Sequence, residues 1–379
     1  MRTLFITNTY LDGNSGGVYA TKAYINAFAQ LSEAMTLVYA MKNTTPTDSL
    51  CGHINMIPVE DRRTVVRKFV DLCFGVVNRF QRNLLGLVDL SQFDIVVFNN
   101  SDVSSGLIKI VKKYGPKVIT IHHNYQIEYL KGNSSRITLL PNLFWTYIYE
   151  RDAVRNSDLN LTLTKQDITL LKKHYGIAKF EVLGVFEFKP FEIKGYLETT
   201  RGHNYVITGW LGAKQTEDSL LPWIKDYYPI LKTVDPEAKL TIAGRDPSEK
   251  LLLLAQSNGI DVIASPVDIQ PILDTANYYI CPIDRGGGLK LRNMDGLKSG
   301  LPVLTHFVSA RGYEYMLDKE CLFVYSDQQS FISAVTSMTR LQTSKRDIIN
   351  IYSSFYSLQI GVAVSYTHLR AHETCADLV

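Results

Sequence analysis

The stretch CPIDRGGGLKLRNMDGLKSGLPVLT, residues 281–305, decides the fold class of this chain. It predicts a strand, a glycine-rich turn, a helix and, after a stop at Gly300 and Pro302, a second strand. Three successive glycines, Gly286 to Gly288, let the backbone approach a ligand closely and leave N–H groups pointing outward. The helix that follows adds the positive end of its dipole. The turn is therefore suited to a diphosphate group.

Two cations, Lys290 and Arg292, lie in the first turn of that predicted helix. Cations oppose the helix dipole at this end, so their presence indicates an anion bound between them. A charge-assisted bond to phosphate contributes about 1.5–3 kcal/mol, which outweighs a dipole penalty of less than ~1 kcal/mol. The alternative is a plain tight turn with solvated charges.

Outward from this segment, short β-branched apolar runs alternate with longer helical patterns, which is typical of parallel βα units. An N-cap is predicted at Asp246, with Pro247 as the first helical residue and Glu249 as its capping-box partner. Strands are predicted at residues 3–8, 35–41, 94–100, 117–124, 158–164 and 180–186, and again at 205–210, 239–244, 261–264, 278–282, 302–306 and 322–325. Helices in the first half are predicted at 19–31, 103–114, 142–156 and 165–175.

This alternation runs twice, which predicts two Rossmann-like domains at residues 1–186 and 205–364. Between them, residues 187–204 lack periodicity and mix proline, glycine and charge, so they are predicted to be a linker. The last segment, 365–379, resembles a translated adapter sequence and is interpreted as a non-native tail. A genuine polar tail is the alternative.

The composition excludes several classes of protein. The chain has 379 residues, of which 46% are hydrophobic and 20% charged, as in ordinary globular proteins. A net charge of +3 gives no indication of a nucleic-acid partner. The five cysteines are dispersed without C-x-x-C spacing, which favours reduced thiols in the cytoplasm. No signal peptide and no charge-free apolar stretch of about 18 residues is recognised, so a membrane-spanning helix is not expected.

Residues 286–300, followed by PVLT at 302–305 and ARGYE at 310–314, resemble the donor-site signature of glycosyltransferase family 4. The subgroup with a triple-glycine loop has the form GGG-x-K/R-x-K-x-x-E-A. The resemblance extends upstream through 205–284 and so covers nearly all of the second domain. It implies the α/β GT-B fold, in which two Rossmann-like domains with parallel sheets face each other across a cleft. The first would lie on the acceptor side and the second would hold a nucleotide-sugar donor.

The resemblance also assigns roles to individual residues. Asp295 stands where family members carry a glutamate that binds the ribose, and the shorter side chain puts that contact in doubt. The assignment of Lys214 is weakened because the family's R-x-x-x-x-K spacing is absent here, and a surface lysine is the alternative. Val267 falls where the nucleobase packs. Catalytic roles are implied for His122, His123, Arg245 and Lys290, and donor contacts for Gly16, Gly17, Lys214, Val267, Gly286, Gly287, Gly288, Leu289, Arg292 and Asp295.

Two of these assignments lie in the predicted first domain. Gly16 and Gly17 follow the first strand in a loop that family members place against the donor phosphate; a simple turn is the alternative. His122 and His123 end another strand and project to opposite faces, so one suits a core position and the other a site. The sequence does not decide which histidine faces the cleft. Residues 150–158 resemble a family stretch that we interpret as mainly structural.

The resemblance implies a retaining glycosyltransferase that moves a sugar from a nucleotide-sugar donor to a glycan or lipid-linked acceptor, in cell-surface polysaccharide synthesis. No D-x-D motif or carboxylate–histidine cluster indicates a metal, so neither a metal nor a cofactor is expected. The alternatives are a nucleotide-sugar 2-epimerase and a non-catalytic GT-B protein with a degraded donor site. A dehydrogenase is disfavoured because no G-x-G-x-x-G follows the first strand.

A basic and apolar segment, residues 62–85, has near-helical spacing of its charges and apolar residues. Such a segment can lie on an anionic membrane surface, which would place a cytoplasmic protein on the inner face of the plasma membrane. An ordinary surface helix over the core of the first domain is the alternative.

Overall fold

The structure is a computed structural model that describes residues 1–13, 15–41, 50, 53–133, 136–190 and 202–374. The chain divides into two compact units. The first unit comprises Met1–Phe191 together with Tyr356–Val379, and the second comprises Glu192–Phe355.

The first unit is built on a parallel sheet of seven strands in the order β3-β2-β1-β4-β5-β6-β7. Its central strands are largely buried and mostly apolar because helices cover both faces of the sheet, as β4 shows with all five residues buried. The strands are β1 Arg2–Tyr10, β2 Ala34–Met41, β3 Ile54–Glu60, β4 Ile95–Asn99, β5 Lys117–His122, β6 Leu159–Thr162 and β7 Phe180–Val182.

Helices join most of these parallel strands, which need crossover connections. They are α1 Gly16–Leu31, α2 Val65–Cys73, α3 Phe80–Leu87, α4 Ser101–Ser104, α5 Ile108–Lys112, α6 Gln126–Asn133, α7 Arg136–Asn156 and α8 Lys165–Tyr175, with a 3₁₀ turn at Leu90–Gln92.

The second unit repeats the design with a parallel sheet of six strands in the order β10-β9-β8-β11-β12-β13. The strands are β8 Asn204–Trp210, β9 Lys239–Arg245, β10 Asp261–Ala264, β11 Tyr278–Cys281, β12 Val303–His306 and β13 Leu322–Tyr325. The helices are α9 Lys214–Asp226, α10 Tyr228–Val234, α11 Glu249–Ser257, α12 Gln270–Thr275, α13 Arg292–Lys298, α14 Gln328–Thr339 and α15 Lys345–Tyr356, with a 3₁₀ turn at Glu314–Met316. The last helix, α16 Leu358–Thr374, packs along α1 and completes the first unit.

Each sheet has one point where the strand order reverses. In the first unit this point lies between β1 and β4, and in the second between β8 and β11. Ligands of open parallel sheets bind beyond the carboxyl ends of the strands at such a switch point. The glycine turn predicted to bind a diphosphate follows β11 directly, so it lies at the switch point of the second sheet.

The structure confirms the predicted fold class of two parallel-sheet α/β domains. Some details differ. Strand β3 was not predicted, and the helix predicted at 103–114 is divided into α4 and α5. Ser248, not Asp246, caps α11, because Asp246 has a left-handed φ of 52° and lies before the cap. Most of the predicted linker, 191–201, lies outside the described residues.

The boundary predicted at residue 364 is also corrected, since residues from Tyr356 onward belong to the first unit. The segment interpreted as a non-native tail continues α16 through Thr374, with Ser365 and Leu369 buried. Whether that segment is native stays a prediction.

The expectation that no charge-free apolar stretch of about 18 residues exists was wrong, because residues 348–369 contain no Asp, Glu, Lys or Arg and lie in a stretch that is apolar enough for a membrane span. In the described part of the chain, one helical stretch, Lys345–Arg370, is long and apolar enough to cross a membrane by length and composition. The stretch is broken at Ser357 into α15 and α16, which pack in different units. We therefore interpret it as two core helices.

Candidate donor site

The glycine turn of the second unit leaves β11 and bends through two left-handed residues. Gly286 has a φ of 81° and Gly288 a φ of 70°, conformations that glycine adopts without strain. A Cβ at Gly286 would clash with Nε2 of Gln215, which itself donates to the carbonyl of Arg285. No atom of the described residues lies within 4 Å of a Cβ built at Gly287, so they leave that part of the turn open.

Lys290 lies before α13 rather than in its first turn, since the helix begins at Arg292 and has only seven residues. The prediction that both cations oppose a helix dipole is corrected accordingly. Nζ of Lys290 donates to the carbonyl of Gly287 at 2.9 Å, so the lysine closes the turn. The buried Tyr313 donates its hydroxyl to the carbonyl of Lys290 at 2.8 Å and fixes the other end of this segment.

Arg292 reaches across to the end of β8. Its Nη2 donates to Oγ1 of Thr216 at 2.7 Å and approaches the carbonyl of Trp210 at 3.4 Å. Nη1 is buried and has no hydrogen-bond partner among the described residues. Gly209 makes room for this guanidinium, because a Cβ there would lie 2.5 Å from Nε of Arg292. One side of Arg292 is therefore structural, and the other keeps an unused donor.

The ends of β8 and β9 carry an aromatic and cationic pair. Trp210 is half-exposed, and Cζ of Arg245 lies 5.1 Å from its ring centroid. The indole N–H donates to Oδ2 of Asp246 at 3.1 Å, which fixes the plane of the ring. The exposed guanidinium of Arg245 is thus held over a flat surface at the carboxyl edge of the sheet, within reach of solvent.

Asp284 and His306 lie at the carboxyl ends of β11 and β12. Burial opposes ionisation of Asp284, but its bonds from Arg285 at 2.7 Å and from Ser219 at 2.7 Å hold the pKa of the carboxyl below its usual range. Burial lowers the pKa of His306, which is therefore neutral near pH 7. Nδ1 of His306 accepts from the N–H of Val308 at 3.3 Å.

The other predicted donor contacts of this unit differ in exposure. Asp295 is half-buried in the first turn of α13, and Leu289 is half-buried in the turn before it. Lys214 is 82% exposed and pairs with Asp218 four residues later at 2.8 Å, as a surface lysine does. Val267 is fully exposed after β10. Arg292 and Asp295 therefore lie in the helix that follows the glycine turn, whereas Lys214 and Val267 lie on the surface.

In the first unit, the two histidines at the end of β5 have different environments. His122 is completely buried, and its Nε2 donates to Oδ1 of Asn160 at 2.9 Å, because the amide nitrogen of Asn160 already donates to the carbonyl of Val154. Burial lowers the pKa of His122 to about 4. The ring lies in the core, so the structure does not bring His122 to a site.

His123 is only half-buried and lies near the switch point of the first sheet. Its Nε2 donates at 2.8 Å to Oδ1 of Asn99, whose amide nitrogen donates to Thr7 and Thr21. This fixed chain of bonds places the proton of the neutral ring on Nε2 and leaves Nδ1 as an acceptor. Burial lowers the pKa of His123 to about 4, so the ring is neutral near pH 7.

Gly16 and Gly17 are the exposed first residues of α1, which follows β1. Ser15 caps the helix by accepting from the N–H of Val18. Among the described residues, a Cβ at Gly17 would meet only Oγ of Ser15, at 4.0 Å, so their packing does not require glycine there. A ligand that closely approaches the backbone would require glycine at this position.

Sequence reasoning missed several residues of these sites. Trp210, Gln215 and Tyr313 are far from the glycine turn in the chain, and only the folded sheet brings them to it. Asn99 could have been found, because it ends a strand next to the strand that carries His123. Within the described residues, no group of three or more His, Cys, Asp or Glu side chains could hold a metal ion, and the described cysteines, Cys73, Cys281 and Cys321, are free.

Comparisons with known proteins agree with this geometry. Residues 203–340 match the family model described as "Glycosyl transferases group 1". An uncharacterized 44.6 kDa protein in the cps region of Klebsiella pneumoniae is 21% identical over 58% of this chain. The matched region spans 59% of that relative's length.

Solved structures resemble the whole chain. A lipopolysaccharide outer core galactosyltransferase, WaaB in its apo form, matches with a TM-score of 0.66 and 14% identity over 98% of this chain and 99% of its own. HepE of Anabaena in complex with UDP and glucose matches with a TM-score of 0.60 and 11% identity over 98% of this chain and 100% of its own. The chain thus has the GT-B fold, and the family match over its second unit supports a glycosyltransferase.

Proposed function

We propose that this chain is a retaining, metal-independent glycosyltransferase that moves a sugar from a nucleotide-sugar donor to a glycan or lipid-linked acceptor in cell-surface polysaccharide synthesis. The observation that carries the proposal is the position of the glycine turn, at the switch point of the unit that matches the glycosyltransferase family. HepE with UDP and glucose, and the lipopolysaccharide galactosyltransferase, favour a uridine diphosphate sugar and a bacterial polysaccharide.

In this proposal the second unit binds the donor. The backbone N–H groups of residues 286–288 face the diphosphate, and Arg245 and the free Nη1 of Arg292 add positive charge. Each well-aimed donor of this kind can supply about 2.7–4 kcal/mol of transition-state stabilisation. Asp295 accepts from the ribose hydroxyls, and the nucleobase packs near Val267.

The transfer occurs on one face of the sugar. The bond between the anomeric carbon and the diphosphate oxygen breaks, and the acceptor oxygen forms the new bond from the same side. The departing phosphate takes the proton of the acceptor hydroxyl, so no protein nucleophile is needed. In the first unit, Nδ1 of His123 accepts a hydrogen bond from a substrate hydroxyl, and its low pKa keeps the ring neutral for this role. Gly16 and Gly17 allow the substrate to approach the start of α1.

Calorimetric titration of the full chain with UDP, GDP and ADP in EDTA tests the donor site. We expect saturable binding of one nucleotide, weakened at least tenfold in Lys290→Ala and in Asp295→Ala. Lys250→Ala, on the exposed face of α11, is the control and should bind as the wild type does. Absence of binding by all three nucleotides would overturn the proposal, and a covalent sugar adduct on a carboxylate of the first unit would overturn the mechanism.

A peripheral membrane contact through residues 62–85 forms part of the proposal. Helix α2 and the residue after it leave apolar side chains in solvent, with Val65 84%, Val66 73% and Phe74 77% exposed. Arg67 and Lys68 on the same short helix are about half exposed. Apolar side chains beside cations fit an anionic lipid surface.

Sedimentation with vesicles tests this contact. We expect the full chain to sediment with vesicles rich in anionic lipid at low salt and to stay in solution with neutral vesicles. Val66→Ser combined with Phe74→Ser should reduce sedimentation several-fold, while Ile177→Ser, at another exposed apolar side chain of the first unit, should not. Equal sedimentation of all variants would exclude α2 as the contact.

A further inference from the structure

The first unit contains an open cavity of about 550 Å³ between the end of β3 and helices α2 and α3. We call it the arginine pocket because the described residues that line it include five arginines and three carboxylates. The arginines are Arg62, Arg63, Arg67, Arg79 and Arg82. The residues assigned to the donor site lie in other parts of the chain, so nothing in the proposed reaction so far uses this cavity.

One carboxylate holds most of these arginines. Asp71 is 2% exposed and receives Arg63 at 3.1 Å, Arg67 at 3.1 Å and Arg82 at 3.2 Å. Asp61 pairs with Arg63 as well, at 2.9 Å. Three guanidinium groups thus share the carboxylate of Asp71. The five arginines of the pocket outnumber its three carboxylates, so its lining has a net positive charge.

Arg79 is the strongest indication that the pocket can bind an anion. Its side chain is 8% exposed, and its two terminal nitrogens donate to the carbonyl of Val59 at 2.9 Å and to the hydroxyl of Tyr10 at 2.8 Å. Nε is buried without a hydrogen-bond partner among the described residues. The other four arginines form ion pairs with carboxylates, whereas the guanidinium of Arg79 faces the ring of Tyr10, with Cζ 5.2 Å from the ring centroid. A buried guanidinium without a counter-ion is costly. An anion in the cavity would remove that cost.

The place of the cavity in the fold indicates what this anion belongs to. Tyr10 is the last residue of β1 and precedes the loop that leads to Gly16, while Glu60 is the last residue of β3. The cavity therefore opens at the carboxyl edge of the first sheet, where parallel sheets bind ligands. Its volume lies in the range of small-molecule sites.

We infer that the arginine pocket binds a phosphate or diphosphate group of the acceptor. Guanidinium groups match phosphate through paired N–H bonds, which is why arginine dominates phosphate recognition. Arg67 and Arg82, each about half exposed, can turn a free edge to the ligand while Asp71 holds the other edge. This inference rests on the proposed function, because it gives the acceptor of that transfer its charged group.

Titration of the full chain with pyrophosphate tests the pocket. We expect two sites in the wild type, one at the glycine turn and one in the arginine pocket. Arg67→Gln combined with Arg82→Gln should lose one site, with at least a tenfold loss of affinity there, and should bind UDP as the wild type does. Lys290→Ala should lose the other. The matched control removes two exposed cations of the same unit, Lys113→Gln with Arg151→Gln, and should keep both.

Arg79→Lys provides a second variant that keeps the charge and loses the paired donors. We expect it to weaken pyrophosphate binding at the pocket about as much as the double arginine variant does, at least tenfold, without changing UDP binding. Circular dichroism of each variant shows whether the unit has folded. If the pocket variants fold and bind pyrophosphate as the wild type does, the inference is overturned. If UDP fails to bind while the pocket variants still lose a pyrophosphate site, the proposed function fails and the pocket stands.

Two further ligands distinguish a soluble source of the phosphate group from a lipid source. One is a soluble hexose 1-phosphate, and the other is a neutral vesicle carrying a few per cent of polyprenyl phosphate. Binding of either by the wild type, lost in the double arginine variant, supports the pocket and identifies the source. Binding of neither at millimolar phosphate would overturn the inference.

Discussion

Gly286 and Gly287 are neighbours in the glycine turn, but the fold constrains them differently. Gly286 has a left-handed φ of 81°, and a Cβ there would clash with the amide of Gln215, whereas a Cβ at Gly287 meets none of the described residues within 4 Å. A side chain at the first position is therefore strained by the protein itself. At the second position it would be excluded only by a bound ligand.

We expect Gly286→Ala to lower the free energy of unfolding by about 1–2 kcal/mol, the usual cost of a left-handed conformation for a residue with a Cβ. Gly287→Ala should leave stability within about 0.5 kcal/mol of the wild type, because its surroundings are open. Urea denaturation measures both, and UDP titration should show weaker binding in each. Equal stability of the two variants would contradict the role given to Gly286.

Glu150 is a second residue whose environment makes a quantitative prediction. It is completely buried, accepts from the N–H of Gln126 at 3.0 Å and from the hydroxyl of Tyr175 at 2.8 Å, and burial raises its pKa to about 8. The folded unit therefore binds a proton that the unfolded chain, with a carboxyl pKa near 4.5, releases. Burial also raises the pKa of Asp102 and of Asp167 to about 6.

Because the folded-state pKa is raised, the stabilisation from Glu150 is complete below pH 4.5 and is lost as the pH rises towards 8. Glu150→Gln keeps a neutral group in the same space, so we expect its melting temperature to fall less between about pH 6 and pH 8 than that of the wild type. Asp102 and Asp167, with pKa values raised to about 6, change their protonation mainly below that pH. Of the three buried carboxyls, Glu150 therefore dominates the pH dependence between about pH 6 and pH 8. The exposed Glu320→Gln is the control, and its melting profile should follow the wild type. If the melting temperature of Glu150→Gln fell with pH as steeply as that of the wild type, the raised pKa of Glu150 would be refuted.

At the scale of elements, the strands that the sequence predicted are those with uninterrupted β-branched runs. Strand β3 was missed because Pro58 interrupts it, and proline is tolerated there since β3 lies at the edge of the sheet. Predicted strands such as 117–124 extended too far at their carboxyl ends, since the chain leaves the sheet at His122. Polar residues at a strand's end belong to the site, which apolar patterning cannot show.

Local pattern also explains which parts of the site could be predicted. The glycines, Lys290 and Arg292 form one contiguous segment, so spacing alone indicated an anion site. The bond from Arg292 to Thr216 and the stacking of Arg245 on Trp210 join residues far apart in the chain. The arginine pocket was interpreted only as part of a basic helix. Its carboxylates and the burial of Arg79 become visible when β3 is placed beside α2 and α3.

Helix α16 packs so closely in the first unit that one of its residues must be glycine. A Cβ at Gly361 would clash with the ring of Phe186, which is itself buried. In an exposed helix, Gly→Ala stabilises by about 1 kcal/mol. Here overpacking costs typically ~1–3 kcal/mol, and we expect the net effect of Gly361→Ala to be a loss of stability.

A double-mutant cycle measures this contact. Phe186→Leu opens space, so Gly361→Ala should be less destabilising in that background than in the wild type. The exposed Ala363→Gly serves as the control for helix propensity and should lose stability equally in both backgrounds. An additive cycle for Gly361 and Phe186 would show that α16 does not pack in this way.

At the scale of the whole molecule, the two units differ in the number of chain segments that form them. The second unit is continuous, and its core is formed by residues between Tyr205 and Met338. The first unit is discontinuous, because α16 packs along α1 after the chain has completed the second unit. The N–H of Glu187 bonds to the carbonyl of Tyr356 at 2.8 Å, which joins its two segments. The first unit therefore cannot complete its fold before residue 356 is available.

This difference predicts how fragments behave. Residues 202–355 alone should unfold cooperatively and, if the donor site is as proposed, bind UDP within about threefold of the full chain, since the donor residues proposed in that unit are all present. Residues 1–190 alone lack α16, so the surface of α1 that α16 covers becomes exposed, and the burial of Leu358 and Leu369 is lost. We expect this fragment to melt several degrees lower or to bind a hydrophobic dye, and a fusion of residues 356–374 to residue 190 through a flexible linker should recover most of the loss. A fragment 1–190 as stable as the fusion protein would mean that α16 adds nothing, and the discontinuous first unit would have to be redrawn as ending before residue 191.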